Sequence, residues 1–140
     1  GLAQIMEARG KLVKATEYYR RELNINNRNL FAAFRLAENL KNTGEYNKAI
    51  PFYRQAIVID PNFKLPYFMI AKFYMEKGSN LDEAISLCKR GTEIEPQDET
   101  TLYGFYILTN IYSKIGDKYN FNFYTKQGEK LLKKLENQPK

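Results

Sequence analysis

Cys88 is the only cysteine of this chain, and histidine is absent altogether. The side chains that most often carry nucleophilic or metal chemistry are therefore almost missing. A Ser-His or Cys-His pair needs an imidazole base, a thiolate zinc cage needs several cysteines, and one cysteine closes no internal disulfide. Cys88 is read as a small core residue. Glu93 and Glu95 alternate beside Pro96, where a helix should end, and read as a solvated terminus rather than a working carboxylate pair. The sequence holds no glycine-rich phosphate loop, no paired metal ligands at helical spacing and no nucleophile beside a plausible base. It predicts no catalytic residues, no cofactor and no metal.

The charged residues point to surfaces instead. The formal net charge is +6 over 140 residues, with Lys and Arg mixed among Asp and Glu along most of the chain, as on a solvated surface. The tail from Lys126, KQGEKLLKKLENQPK, is the exception: five lysines stand against two glutamates and could attract an acidic surface. A hydrophobic content of 44% can supply the core of one domain. No apolar run approaches the roughly 18 residues that span a bilayer, and the start GLAQIMEARG lacks the layout of a secretory signal. The expectation is a soluble chain with no membrane span.

The elements that must position these surfaces repeat. The stretch from Leu36, LAENLKNTGEYNKAIPFYRQAIVIDPNF, aligns without gaps on LAQIMEARGKLVKATEYYRRELNINNRN from Leu2, an offset of 34 residues. A third copy begins at Ile70, another 34 on, and a divergent fourth at Leu108, 38 further. One of the four extra residues falls in the turn GSNLDEA and about three fall at Glu99 to Thr101. Apolar spacings of three and four on either side of Gly10, Gly44, Gly78 or Gly116 predict two helices per copy, with a turn at each glycine. Asn80 is expected to cap a second helix, with Glu83 bonding back, and Asp117 to do the same in the fourth copy. Pro61 and Pro96 mark the ends of second helices, and Asp98 can cap the helix that follows.

Leu36-Ala37, Leu40, Gly44, Tyr46, Ala49, Tyr53, Ala56 and Pro61 resemble the tetratricopeptide repeat signature. The third copy keeps Tyr67, Ile70-Ala71, Tyr74, Gly78, Ala84 and Pro96, with Cys88 and Gly91 replacing an aromatic and an alanine. The first keeps Leu2-Ala3, Met6, Gly10, Ala15 and Tyr19 but lacks the opening of its first helix. The fourth keeps Phe105, Leu108, Tyr112 and Gly116, with Phe121, Thr125 and Gly128 at second-helix packing positions. After Gly128, Leu131, Leu132 and Leu135 suggest that the last helix runs on as a lysine-rich cap. The resemblance implies an all-α, right-handed solenoid of helical hairpins. One truncated repeat (about 1–29) precedes three others (30–63, 64–98 and 99–137) in a single domain, expected to be a C-terminal part of a larger protein.

In this family the first helices line a concave face. The resemblance then places Phe31, Phe34, Glu38, Lys41 and Asn42 there from the second repeat. The third contributes Leu65, Phe68, Lys72, Met75 and Glu76, and the fourth Tyr103, Tyr106, Asn110, Ser113 and Lys114. Aromatic side chains offer large contact area at small entropic cost, so the row through Phe34, Phe68 and Tyr106 is the candidate groove for a protein or peptide. The same row could instead pack within the chain or against an upstream domain. The clamp with which some relatives grip acidic chaperone tails is missing. Phe34, Glu38, Met69, Tyr103 and Ile107 occupy its places in one register, and Gln4, Arg35, Leu65 and Met69 in the other. Glu38 and Glu76 interrupt any basic track, which disfavours nucleic acid as the partner. The expected function is a protein–protein interaction module. The competing reading is a structural scaffold or a self-association module, as in a homo-oligomer, attached to an upstream domain.

Overall fold

The computed structural model describes residues 2–139, and every regular element among them is helical. In chain order these are α1 (Leu2–Ile25), α2 (Leu30–Asn42), α3 (Tyr46–Ile59), α4 (Lys64–Lys77), α5 (Leu81–Thr92), α6 (Glu99–Ile115) and α7 (Lys118–Glu136). They form two compact units, one ending at Pro61 and the other beginning at Asn62.

In the first unit α2 packs on both α1 and α3. Asn29 accepts a 3.0 Å hydrogen bond from the Ala32 N–H, capping α2. The buried face of α2 carries Ala32, Ala33, Leu36, Ala37 and Leu40, opposite Ala49, Tyr53 and Ala56 of α3. Small side chains at this contact allow close helix approach. The turn between them uses Gly44 at φ +83°, where the Glu45 N–H donates to the Leu40 carbonyl at 2.8 Å.

The first copy departs from its expected hairpin. Helix α1 runs unbroken through Gly10, with no turn there. A glycine inside a helix costs about 1 kcal/mol relative to alanine, which does not by itself break one. A turn pays only when both arms can pack, and residues 2–9 offer just Leu2, Ala3 and Met6 at the positions that Leu36, Ala37 and Leu40 fill in α2. A continuous helix is the result, and residues 2–11 are exposed.

In the second unit α4 and α5 form a hairpin, α6 packs against both, and α7 packs on α6. Gly78 and Gly116 close α4 and α6 in the left-handed conformation. Asp98 caps α6 as expected: its carboxylate accepts from the Thr101 N–H at 3.1 Å, and the Thr101 hydroxyl receives the Asp98 N–H at 3.1 Å. Asp117 likewise caps α7 through the Asn120 N–H at 3.0 Å. Asn80 does not behave as expected. It sits at φ 52° and makes no side-chain cap bond, because the residue added to this turn puts it in a left-handed conformation instead of the extended one a cap needs. Asp82 and Glu83 in the first turn of α5 supply negative charge to that helix end instead.

The core of this unit closes around Phe68 of α4. A Cβ added to Gly91 of α5 or Gly104 of α6 would stand 2.6 Å or 2.4 Å from the Phe68 Cε1 atom, so both glycines are needed where helices meet over this ring. Cys88 is buried beside them, and its thiol donates to the Gly104 carbonyl at 3.3 Å. Burial pushes that thiol's pKa well up, as befits a core residue and not a reactive one. The loop from α5 to α6 is tied down by buried Lys64, whose Nζ donates to the Pro96 carbonyl and lies 3.0 Å from the Asp98 carboxylate.

Candidate partner-binding surfaces

Helix α2 presents Phe31 to solvent at 59% exposure. Its ring meets the Tyr19 ring edge-on at 5.7 Å, and the Arg35 guanidinium lies 5.3 Å from its centroid. These contacts restrain the ring while leaving much of it uncovered. Phe34, three residues on, is half-buried against Tyr53, with ring centroids 6.1 Å apart. Glu38 accepts from the Tyr53 hydroxyl at 2.5 Å and from Lys41 Nζ at 3.0 Å, so this charge pair is organised within the unit. Asn42 is exposed at the end of α2. The first unit thus offers a partly restrained aromatic beside a paired acid and base.

The second unit treats its candidates unevenly. Leu65, Tyr103 and Asn110 are half-buried, while Lys72, Glu76, Ser113 and Lys114 are exposed, with Lys72 Nζ 3.9 Å from the Glu76 carboxylate. Tyr106 is 63% exposed. Phe68 and Met75 correct the expectation of an open row: Phe68 is 0% and Met75 8% exposed. Glycine at positions 91 and 104 lets α5 and α6 close over the Phe68 ring, which the spacing of α4 alone does not reveal. Tyr103 packs edge-on against it at 6.3 Å.

A feature outside the expected row appears between α6 and α7. There an open groove of about 200 Å³ lies between Phe105, Tyr106 and Thr109 on one side and Tyr124, Thr125 and Gly128 on the other. Tyr124 is held in this wall by stacking on Tyr112 at 5.7 Å with ring planes 3° apart. The signal for this groove was in the sequence as the unusual Thr125 and Gly128, but it read as a departure from pattern rather than as a surface. At the other end of the chain, α1 exposes Leu2, Ile5, Met6 and Val13.

Among the described residues no group of three or more Cys, Asp or Glu side chains is gathered to hold a metal ion, and no helix is long and apolar enough to cross a membrane. Glu93 and Glu95 are both exposed. The sequence profile of the tetratricopeptide repeat matches residues 31–63, which hold α2, α3 and the turns around them. No curated protein gives a significant match to the chain.

Proposed function

We propose that this chain, whose residues 31–63 match the tetratricopeptide repeat, a family that serves protein–protein interaction, binds a peptide or protein segment through its first helices. The observation that carries this reading is Phe31: a large aromatic, more than half exposed, held between Tyr19 and Arg35. Exposed, pre-oriented aromatics beside polar groups are the usual anchors of protein interfaces. In the second unit Tyr106 offers a similar ring, with Leu65, Lys72, Tyr103 and Asn110 on the same class of helix. The proposed ligand is extended or helical, has apolar anchors, and needs no acidic C-terminal tail. In this reading the chain is a binding module rather than an enzyme.

Selection of binders from a random-peptide display library tests it, with Phe31→Lys and Tyr106→Lys as the contrasting variants. Both positions are exposed, so circular dichroism should report unchanged folding. Phe68→Lys is unsuitable, since it would bury a charge. A recurrent apolar motif whose affinity falls about 30-fold or more with Phe31→Lys supports the reading. Binders indifferent to both changes reject it.

The reading of a scaffold or self-association module has its own observation, the exposed stripe of Leu2, Ile5, Met6 and Val13 on α1. Sedimentation over a concentration series separates the two readings. Self-association abolished by Ile5→Glu with Met6→Glu favours the scaffold, and a concentration-independent monomer counts against it.

A further inference from the structure

The groove between α6 and α7 has a filled counterpart within the same unit. Subtracting 38 from the α6 residues that line it and 37 from those of α7, the offsets of the repeat itself, carries Phe105 onto Tyr67 and Tyr106 onto Phe68. Thr125, Gly128 and Glu129 fall on Cys88, Gly91 and Thr92. In the α4–α5 hairpin all five counterparts are buried, because α6 lies over that surface. In the α6–α7 hairpin none of the five is buried, and the surface is an open groove. We propose that this groove is a second docking site, specific for an amphipathic helix of a partner protein that carries a small residue at the centre of its apolar stripe and a Lys or Arg beside it.

The chemistry of the occupant follows from the helix that fills the counterpart. Helix α6 turns Thr101, Gly104, Ile107, Leu108 and Ile111 inward, an apolar stripe at spacings of three and four. Gly104 crosses directly above Phe68, where even a Cβ would collide. Tyr106 is at least as large as Phe68 and stands in its place, so a helix crossing as closely there needs glycine at that point. Gly128 repeats the opening that Gly91 makes, and an added Cβ there meets only the Phe105 Cβ, at 3.7 Å. Charge complementarity decides the flank. Thr92 is neutral and covered, whereas its counterpart Glu129 is a carboxylate exposed at the lip of the groove. A Lys or Arg on a helix that covers Glu129 would pair with this carboxylate as it is desolvated, in place of Lys126 or Lys133 one turn away on α7.

The test is a display library of helical 18-to-20-residue peptides, with apolar residues fixed at helical spacing and the remaining positions random, selected on the full chain. Three variants are compared: Gly128→Leu fills the groove, Glu129→Lys reverses its charge on an exposed side chain that folding does not need, and Phe31→Lys disables the surface proposed above. The expected result is enrichment of helices with a small residue in the stripe and an adjacent Lys or Arg. Their binding should disappear with Gly128→Leu, weaken about tenfold or more with Glu129→Lys, and persist with Phe31→Lys. Absence of enriched helices, or binders that survive both groove variants, overturns the proposal. So does self-association of the wild type that Gly128→Leu abolishes, since the occupant is then a second copy. Loss of binding only with Phe31→Lys assigns the helix to the other surface and likewise rejects this one.

Discussion

Phe68 and Tyr106 stand at the same place in successive hairpins, 38 residues apart, yet Phe68 is 0% and Tyr106 63% exposed. Both lie on a first helix and both have an aromatic ring. The difference lies in what crosses them. Over Phe68 the backbone of α6 passes at Gly104, and Gly91 of α5 makes room from the other side. Tyr106 has glycine in the matching second-helix position, Gly128, but only an open groove beside it. In a repeat architecture a position sets which way a side chain points, while the next element decides whether it serves the core or the surface. This contrast divides the candidate row into residues that hold the unit together and residues that can meet a partner.

The largest effect should come from truncating each ring. Phe68→Ala removes a fully buried aromatic and should cost about 3–5 kcal/mol. Tyr106→Ala, on the surface, should stay within about 0.5 kcal/mol. Urea denaturation followed by circular dichroism measures both, and similar losses for the two would mean that Tyr106 is also a core residue. The glycines sharpen the same contrast. Gly104→Ala places a methyl group 2.4 Å from the Phe68 ring and should destabilise by about 1–3 kcal/mol. Gly128→Ala meets nothing nearer than 3.7 Å and should stabilise α7 by up to about 1 kcal/mol, through helix propensity. Opposite signs in the denaturation midpoint are the expected outcome.

How far the sequence could be read follows the range of the forces involved. The helices, the left-handed glycines at 44, 78 and 116, and the Asp98 and Asp117 caps were legible because each depends on a few neighbouring residues. The Gly10 turn was misread because a hairpin needs two arms with enough apolar surface, and residues 2–9 do not supply it. Asn80 was misread because one added residue changed its backbone conformation. The burial of Phe68 required knowing that Gly91 and Gly104, distant in sequence, converge on one ring. Phe31 and Tyr106 are exposed where Phe68 is buried, a difference that repeat position alone left open. The α6–α7 groove was visible only as two unexplained residues, Thr125 and Gly128.

The first two of the turn glycines test the first of those misreadings. Gly44 has φ +83° and Gly10 lies inside a continuous helix. Alanine at position 44 must adopt a left-handed conformation, at a cost of about 1–2 kcal/mol. At position 10 it should instead extend helix order, by up to about 1 kcal/mol of local helix propensity. Because residues 2–11 are exposed, the second gain should show in helicity and amide exchange near the N-terminus more than in the unfolding midpoint. A loss of helicity in Gly10→Ala would restore the turn that the sequence suggested.

The smallest expected effect compares the two acidic caps. Partial burial pushes the Asp98 carboxyl up, but hydrogen bonds from Lys64 and the Thr101 backbone outweigh it, and the net pKa lies below the ordinary value. Asp117 is lowered chiefly by hydrogen bonds from the Asn120 side chain and backbone. A carboxyl with a lowered pKa in the folded state stabilises folding once the pH is above its unfolded value, about 3.9, and loses that contribution as pH falls through the folded value. Stability should therefore decline on acidification from about pH 5 downward, and Asp98→Asn should flatten part of that decline. Asp98 is tied both to its own helix and, by a hydrogen-bonded ion pair, to Lys64 of α4, whereas the hydrogen bonds that lower Asp117 are local and Lys89 of α5 adds only a weaker charge attraction. Amide exchange at low pH should consequently loosen the α5–α6 loop together with the start of α4 in wild type, while Asp117→Asn should affect the start of α7 alone. If both variants changed only their own helix ends, the Lys64 tie would carry no cooperative weight.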